Sequence, residues 1–234
     1  MIMVHPCFLE PFGPACNPGL HGRYGPSWDS GWSVPIQFRG SVMTDGVEAT
    51  DLAAIRALIE RSRFDEAHAR CRPIADSGSV VAQLYLGWMY QTGKGVDKDL
   101  DQAENWYRQA IAGDPARGEF YLATVRRDRG DQKQAREWFE RSAARGYAPA
   151  MYQLGRIYRC GYGVTVDRQK AFEYIERAAA KGHLFARRDI ARNLLRGQSG
   201  IHRVPAGLFA LIGVAWQVFK VARRDPYDDR MLHC

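Results

Sequence analysis

The chain repeats part of its own sequence, and this internal repeat constrains the fold more than any other feature. The stretch AQLYLGWMYQTGKGVDKDLDQAENWYRQAIAGD, from Ala82, aligns without a gap with AMYQLGRIYRCGYGVTVDRQKAFEYIERAAAKG, from Ala150. Self-similarity with a period of about 20 to 50 residues is typical of proteins built from stacked structural units. The sequence therefore predicts a repeat protein rather than a single closed core.

Seven shared positions define the repeat: a Leu-Gly pair, a Tyr, two glycines of a turn, an Asp and an Ala. In the first copy they are Leu86, Gly87, Tyr90, Gly93, Gly95, Asp99 and Ala103, and in the second Leu154, Gly155, Tyr158, Gly161, Gly163, Asp167 and Ala171. The two glycines of the turn are expected to adopt positive φ angles, and the Asp is expected to cap the helix that follows.

Shorter units without the glycine-rich turn lie beside these two copies, so that units begin at residues 50, 82, 118, 150 and 186 and fill the range 50–203. Apolar residues recur at every fourth position in the first half of a unit, as at Ala82, Leu86 and Tyr90, and again in its second half. This spacing places them on one face of a helix. Each unit is therefore predicted to be a helix pair. Stacked pairs share one core, so the predicted fold is an all-α superhelical solenoid.

The elements LG-x-x-Y, G-x-GV, D-x-x-x-A and W-Y-x-x-A resemble those of the Sel-like repeat (SLR) family, a branch of the tetratricopeptide superfamily. The resemblance is specific in the two long units, whereas the short units are closer to plain tetratricopeptide repeats. It implies a right-handed superhelix of helix pairs that binds proteins and has no catalytic activity of its own. It also implies that one side of every first helix lines a concave groove.

Counting from the Leu-Gly pair gives the residues expected to face this groove, which are six arginines and one aromatic residue. They are Arg56, Trp88, Arg127, Arg156, Arg159, Arg188 and Arg192. A guanidinium group offers paired donors that match a carboxylate. The predicted partner is therefore a protein with an acidic, extended segment or an exposed C-terminal carboxylate, with Trp88 as an apolar subsite. An arginine-rich protein surface without a ligand is the alternative. Aromatic residues that could stack on bases are sparse along this ladder, so nucleic acid is not expected.

The motif TGKG near Lys94 looks like a phosphate-binding loop, but its spacing and chemistry differ from G-x-x-x-x-G-K-[ST]. Gly95 stands where the Ser or Thr would bind magnesium, and the preceding segment is predicted to be helical. Histidines do not fall in a metal-binding spacing, and no nucleophile elbow or dinucleotide-binding pattern is present. The sequence predicts no catalytic residue, no cofactor and no metal site, and hence no enzyme.

The C-terminal stretch 204–222 is largely apolar. Its apolar part, Val204 to Phe219, would span about 24 Å as a helix, short of the roughly 30 Å of a bilayer core, and is not expected to cross a membrane. Two interpretations remain open. The helix either caps the solenoid or docks on a membrane or a second copy, which would make the protein a membrane-surface adaptor. The residues expected to contact a membrane are Phe209, Trp216, Phe219, Lys220, Arg223 and Arg224.

The two ends of the chain are predicted to lie outside the repeats. Residues 1–45 are rich in Pro and Gly and lack periodicity, so they are expected to be disordered, and residues 223–234 form a polar tail. Pro6 and Pro11 interrupt the apolar N-terminus, which is not expected to act as a signal peptide. The expected location is the cytoplasm, or a membrane surface if the C-terminal helix docks there. The sequence from Met43 onward resembles a natural start of translation, which gives the hypothesis that the protein begins there. An intact mass corresponding to residues 1–234 would contradict this hypothesis.

Overall fold

The computed structural model describes residues 46–195 and 204–224, and all of the regular secondary structure in these ranges is helical. The helices are α1 Gly46–Glu60, α2 Phe64–Asp76, α3 Val80–Thr92, α4 Leu100–Gly113, α5 Pro115–Asp128, α6 Gln132–Ala144, α7 Ala148–Cys160, α8 Arg168–Ala180, α9 Leu184–Leu195 and α10 Val204–Arg224. The predictions for residues 1–45, including the start at Met43, and for the tail after residue 224 lie outside the described residues.

Every helix packs against the next helix along the chain, and α3 also contacts α5. The odd-numbered helices are thus the first helices of consecutive pairs, and the even-numbered ones are the second helices. This arrangement confirms the predicted all-α solenoid. The first helices begin at residues 46, 80, 115, 148 and 184, a few residues before the predicted unit starts, because capping residues such as Ser79 and Asp114 precede the repeated pattern.

Side-chain caps begin most of the described helices of the array. The carboxylate of Asp99 accepts hydrogen bonds from the amides of Asp101 and Gln102, and the carboxylate of Asp167 accepts one from Lys170. These bonds satisfy amide groups that have no partner inside the helix. In both long units the preceding turn uses glycine at positive φ. Gly93, Gly95, Gly161 and Gly163 have φ angles of 70°, 73°, 73° and 67°.

The helices of a pair approach closely because small residues occupy the contact points. One alanine recurs at the same position of four second helices and is at most 2% exposed in each: Ala67, Ala103, Ala135 and Ala171. Gly87 of α3 faces the ring of Tyr107, and a Cβ atom at Gly155 of α7 would lie 2.6 Å from Cγ1 of Ile175. Leu86 and Leu154, beside these glycines, are fully buried. Large apolar residues fill the remaining space between the helices.

The last helix, α10, packs against α9, so that it occupies the place of a second helix at the end of the array. The side chain of Arg187 in α9 donates a hydrogen bond of 2.6 Å to the side-chain oxygen of Gln217 in α10. Among the residues that the structure describes, no helix combines the length and the apolar character that crossing a membrane requires.

Candidate functional site

The first helices α3, α5, α7 and α9 carry a band of polar side chains, which we call the first-helix surface. At its α3–α5 end the amide nitrogen of Gln91 donates to the carboxylate of Asp128 at 2.6 Å and to the hydroxyl of Thr124 at 3.1 Å. The hydroxyl of Tyr107 donates to the amide oxygen of Gln91 at 2.9 Å. Gln91 is therefore held by three partners, and it links α3 to both α4 and α5.

The α7–α9 part of the first-helix surface is organised around Asp189. This buried carboxylate accepts hydrogen bonds from the hydroxyl of Tyr152 and from the guanidinium of Arg159, both at 3.2 Å. Arg188 forms a longer contact of 3.5 Å with its other oxygen. Burial raises the pKa of Tyr152 to about 12, so its hydroxyl stays protonated at neutral pH and can serve as this donor. Asp189 thus holds Arg159 across the boundary between two repeats.

Arg156 lies between these two parts, and together with Arg127 and Arg159 it forms what we call the arginine cluster. Burial lowers the pKa of Arg156 below its ordinary value, and the neighbouring charges of Arg159 and Arg127 lower it further, against the opposing influence of Tyr152 and Tyr162. A partly buried guanidinium with like charges nearby is stabilised by an anion that approaches it. The arginine cluster is therefore an electrostatically favourable place for a carboxylate of a ligand.

The structure brings together some of the arginines predicted from the sequence and separates others. Arg127, Arg156, Arg159 and Arg188 lie close enough on α5, α7 and α9 to interact with one another or with the shared Asp189. Arg192 is half-buried one turn further along α9, at the position that corresponds to Arg156. Arg56 is half-buried on α1, near the other end of the array.

Trp88 is not open to solvent, in contrast to the aromatic subsite expected from the sequence. It is 1% exposed, packs edge-on against Phe64 with ring centroids 6.1 Å apart, and is covered by the ammonium group of Lys94, 5.0 Å from its ring centre. The same ammonium group lies 5.1 Å from the ring centre of Phe64. The lysine of the TGKG motif therefore contacts aromatic rings, and the glycine before it, Gly93, ends helix α3 in the left-handed conformation.

Asp128 and Asp189 are part of the first-helix surface, although the sequence pattern did not identify them. Asp128 forms an ion pair of 3.0 Å with Arg127, so each carboxylate partly neutralises arginines that the repeat pattern had selected. A signal was present in the sequence, because Asp189 interrupts an apolar and basic first helix at a position where the preceding unit has Gln153. A buried carboxylate among arginines is expected to pair with one of them.

Among the described residues, no group of His, Cys, Asp and Glu side chains is arranged to hold a metal ion. The charged groups of the first-helix surface instead suit binding. The surface carries five arginines, Arg127, Arg156, Arg159, Arg188 and Arg192, and two carboxylates, Asp128 and Asp189, so it keeps an excess of positive charge. Such an excess steers acidic partners toward a surface and rejects basic ones.

The family model of the Sel1 repeat matches three stretches of the chain, at residues 80–115, 118–147 and 148–183. The solved structure of a Sel1 repeat protein from Oxalobacter formigenes is similar, with 26% sequence identity, a TM-score of 0.58 and a match that covers 73% of each chain. A Pseudomonas aeruginosa protein, 5086, is 19% identical with a TM-score of 0.54, over 70% of this chain and 64% of the other. At that identity the likeness concerns the fold alone. No curated protein matches the sequence.

Proposed function

Because the chain carries three Sel1 repeats, which generally mediate contacts between proteins, we propose that it is a non-catalytic scaffold that holds a partner protein on its first-helix surface. The observation that carries this proposal is the arginine cluster, in which the half-buried Arg156 lies close to two further arginines and donates a hydrogen bond of 3.4 Å to Gln153. No step of chemistry is assigned to these groups. Their role is to recognise a partner, in the cytoplasm as the predicted compartment.

The proposed partner presents an acidic segment, either extended or ending in its own C-terminal carboxylate. A carboxylate that reaches Arg156 also meets the fields of Arg127 and Arg159, which share one side of α5 and α7. Hydrogen bonds between charged partners contribute about 1.5 to 3 kcal/mol each. The carboxylates of Asp128 and Asp189 position Arg127 and Arg159 rather than cancel the whole surface, because Arg156 and Arg192 add further positive charge.

Trp88 has a different role in this proposal from the one expected from the sequence. Its ring is covered by Lys94, so the partner is recognised mainly through charge and hydrogen bonds, with no open aromatic pocket at this position. A polar, charge-matched interface of this kind is expected to bind more weakly as the salt concentration increases.

The test uses fluorescent peptides, because they separate the charge of the ligand from its other properties. A short Glu-rich peptide, its C-terminally amidated form and a version with Gln in place of Glu are titrated onto the full chain, and anisotropy is measured. The Glu-rich peptide should bind and the Gln version should not. A difference between the free and the amidated C-terminus would show how much the terminal carboxylate contributes.

Arg156→Glu is the variant that tests the site, and it should reduce binding of the Glu-rich peptide at least about tenfold, which corresponds to about 1.4 kcal/mol. The new carboxylate would lie between Arg127 and Arg159, so the fold should tolerate it. Arg168→Glu is the matched control, since it changes the net charge equally at an exposed position in the first turn of α8, away from the arginine cluster. Equal binding by both variants, or equal binding of the Glu and Gln peptides, would disprove the acidic-partner proposal.

A second candidate function is that of an adaptor at a membrane surface, with α10 as the contact. It is favoured by one observation: Leu208, Phe209, Ile212 and Trp216 of α10 are 53% to 73% exposed. Large apolar side chains grouped on a surface are typical of interaction sites. Recovery of the full chain with lipid vesicles, and loss of that recovery without residues 204–234, would support this function. The scaffold function does not depend on it.

A further inference from the structure

On the outward side of the second helices, α10 differs from α4, α6 and α8. In α8 three exposed positions on this side hold Glu173, Glu176 and Ala180. The corresponding residues of α6 are Glu137, Glu140 and Ala144, and those of α4 are Asn105, Arg108 and Ala112. In α10, where Val204 corresponds to Arg168 of α8, the same three positions hold Phe209, Ile212 and Trp216.

Removal of a neighbouring helix does not explain this difference. The missing neighbour explains only the exposure of Leu208, because its counterpart Phe172 in α8 is partly covered by the neighbouring helices. Phe209, Ile212 and Trp216 are 73%, 58% and 62% exposed at positions that are also open to solvent in α8, which has neighbours on both sides. Packing within the array therefore does not require apolar residues at these three positions.

The charges of α10 favour an anionic occupant. The helix contains no acidic residue and carries Lys220, Arg223 and Arg224 toward its C-terminal end. The ammonium group of Lys220 lies 5.2 Å from the ring centre of Trp216, which places a cation directly beside the apolar side chains. From residue 186 onward nine Lys or Arg side chains stand against four Asp, so a second copy would bring together like charges.

We propose that the outward face of α10, formed by Phe209, Ile212 and Trp216 with Lys220 at its end, docks on an anionic lipid surface with the helix axis parallel to that surface. This inference rests on the second candidate function and specifies its contact. At 1.5 Å per residue the stretch from Phe209 to Lys220 spans about 16 Å of the helix, so it offers a continuous line of contact. Interfacial helices bury their apolar side about 5 to 10 Å into the lipid and pair basic residues with lipid headgroups.

The docking face exists before any lipid is bound. The opposite side of α10 packs against α9, where Gln217 accepts the hydrogen bond from Arg187 and Val214 is partly covered. The large apolar side chains therefore project away from the array without unfolding of the helix. Because binding needs no new helix to form, it avoids most of the ordering cost that a disordered segment would have to overcome.

The experiment replaces the three residues by those of the other second helices, which provides two matched variants. The α8-like variant carries Phe209→Glu, Ile212→Glu and Trp216→Ala, and the α4-like variant carries Phe209→Asn, Ile212→Arg and Trp216→Ala. The second variant increases the positive charge of α10 while it removes the apolar face. Both sets of side chains occur at exposed positions of this same fold, so helicity and melting should remain those of the parent.

Flotation is measured with vesicles of phosphatidylcholine alone and with added phosphatidylglycerol, at a salt concentration of about 0.15 M that screens weak surface attraction. The parent chain should float with the anionic vesicles only. Both variants should lose at least about tenfold in bound fraction, since each buried apolar side chain contributes about 1.5 to 3 kcal/mol when it leaves water. Loss in the α4-like variant is the decisive result, because charge alone would increase its binding.

Other results would overturn the inference in distinguishable ways. If the parent floats and the α4-like variant floats equally well, the apolar face is not the contact, although the second candidate function survives. If the parent does not float but sedimentation shows a dimer that both variants lose, the occupant is a second copy, and both proposals fail. If the parent neither floats nor dimerises, both proposals fail as well.

Discussion

The interior of the array and its C-terminal end use similar residues in opposite ways. Trp106 in α4 lies on the core-facing side and is 5% exposed, whereas Trp216 in α10 lies on the outward side and is 62% exposed, like its exposed counterpart Ala112 in α4. Ile175 in α8 is 3% exposed, and its counterpart Leu211 in α10 is only half-buried. The apolar character of a residue therefore does not decide its burial in this fold. The side of the helix on which a residue lies decides it first, and at core-facing positions such as those of Ile175 and Leu211 the number of neighbouring helices matters as well, as is expected for a solenoid in which each unit contacts only its neighbours.

The same contrast separates the glycines of the two regions. Gly87 in α3 and Gly155 in α7 face the side chains of the second helix in their own pair, with no room for even one further carbon atom. Gly213 in α10 has no atom within 4 Å of the position that a Cβ atom would occupy. Interior glycines thus allow close approach of helices, whereas Gly213 fulfils no such requirement.

The largest effect should come from Gly87→Leu or Gly155→Leu compared with Gly213→Leu. The first two variants should lose about 3 kcal/mol or more in the free energy of unfolding, because overpacking a tight contact forces the helices apart. The third should be neutral or gain up to about 1 kcal/mol, because leucine favours a helix more than glycine does. Chemical denaturation of the three variants measures the difference. Equal midpoints would show that the close approach of α3 to α4 and α7 to α8 does not determine stability.

A smaller difference should separate two glycines that share positive φ but not their surroundings. At Gly95, where φ is 73°, an added Cβ atom would lie 2.5 Å from the carbonyl oxygen of Phe64 in the preceding unit. At Gly130, where φ is 85°, an added Cβ atom would meet no other atom within 4 Å. Gly130→Ala should cost about 1 kcal/mol for the left-handed conformation alone. Gly95→Ala should cost about 1 to 3 kcal/mol more, because backbone atoms must move.

Thermal and denaturant melts of these two variants measure the contribution of the contact between units. If Gly95→Ala and Gly130→Ala destabilise the protein equally, the turn of the long unit is required only for its backbone conformation. Contacts between neighbouring units would then contribute less to the stability of the array interior than the comparison with α10 indicates.

Much of the fold could be predicted from the sequence because the two long copies of the repeat can be compared with each other. Leu86 and Leu154, the paired glycines of the turns and the caps Asp99 and Asp167 recur with the same spacing, and a local rule of helix formation explains each of them. The resemblance to Sel-like repeats also assigns one side of each first helix to a groove, and counting within the repeat places Arg127, Arg156 and Arg159 on that side.

The rest of the candidate site depends on contacts between units, which one unit's pattern does not contain. Asp189 lies in the most degenerate unit and pairs with Arg159, thirty positions earlier. Trp88 occupies a position predicted to line the groove, but Lys94 from the glycine-rich turn and Phe64 at the start of α2 cover it, and both contacts depend on residues outside its own helix. The outward face of α10 could be recognised as apolar from the sequence, but its contrast with α4, α6 and α8 required the register of the helices.

The smallest effect should come from His68 in α2. Its side chain is partly covered, so its exposure lies between that of the array interior and that of the outward face of α10. Burial lowers the pKa of His68 below its ordinary value, the charge of Arg72 lowers it further, and Asp65 opposes the shift. The ring packs edge-on against Tyr90 with centroids 5.6 Å apart. Because the unfolded chain binds a proton more readily at this residue, the stabilisation is complete above the unfolded pKa of about 6.5 and is lost as the pH falls below it.

The variant His68→Phe keeps the ring contact and removes the titration. The free energy of unfolding of this variant minus that of the parent should therefore increase as the pH is lowered from 7.5 to 5.5. The increase should stay below about 1 kcal/mol, because solvent screens a partly exposed group. A difference that is constant across this range would mean that His68 is as open to solvent as the residues on the outward face of α10.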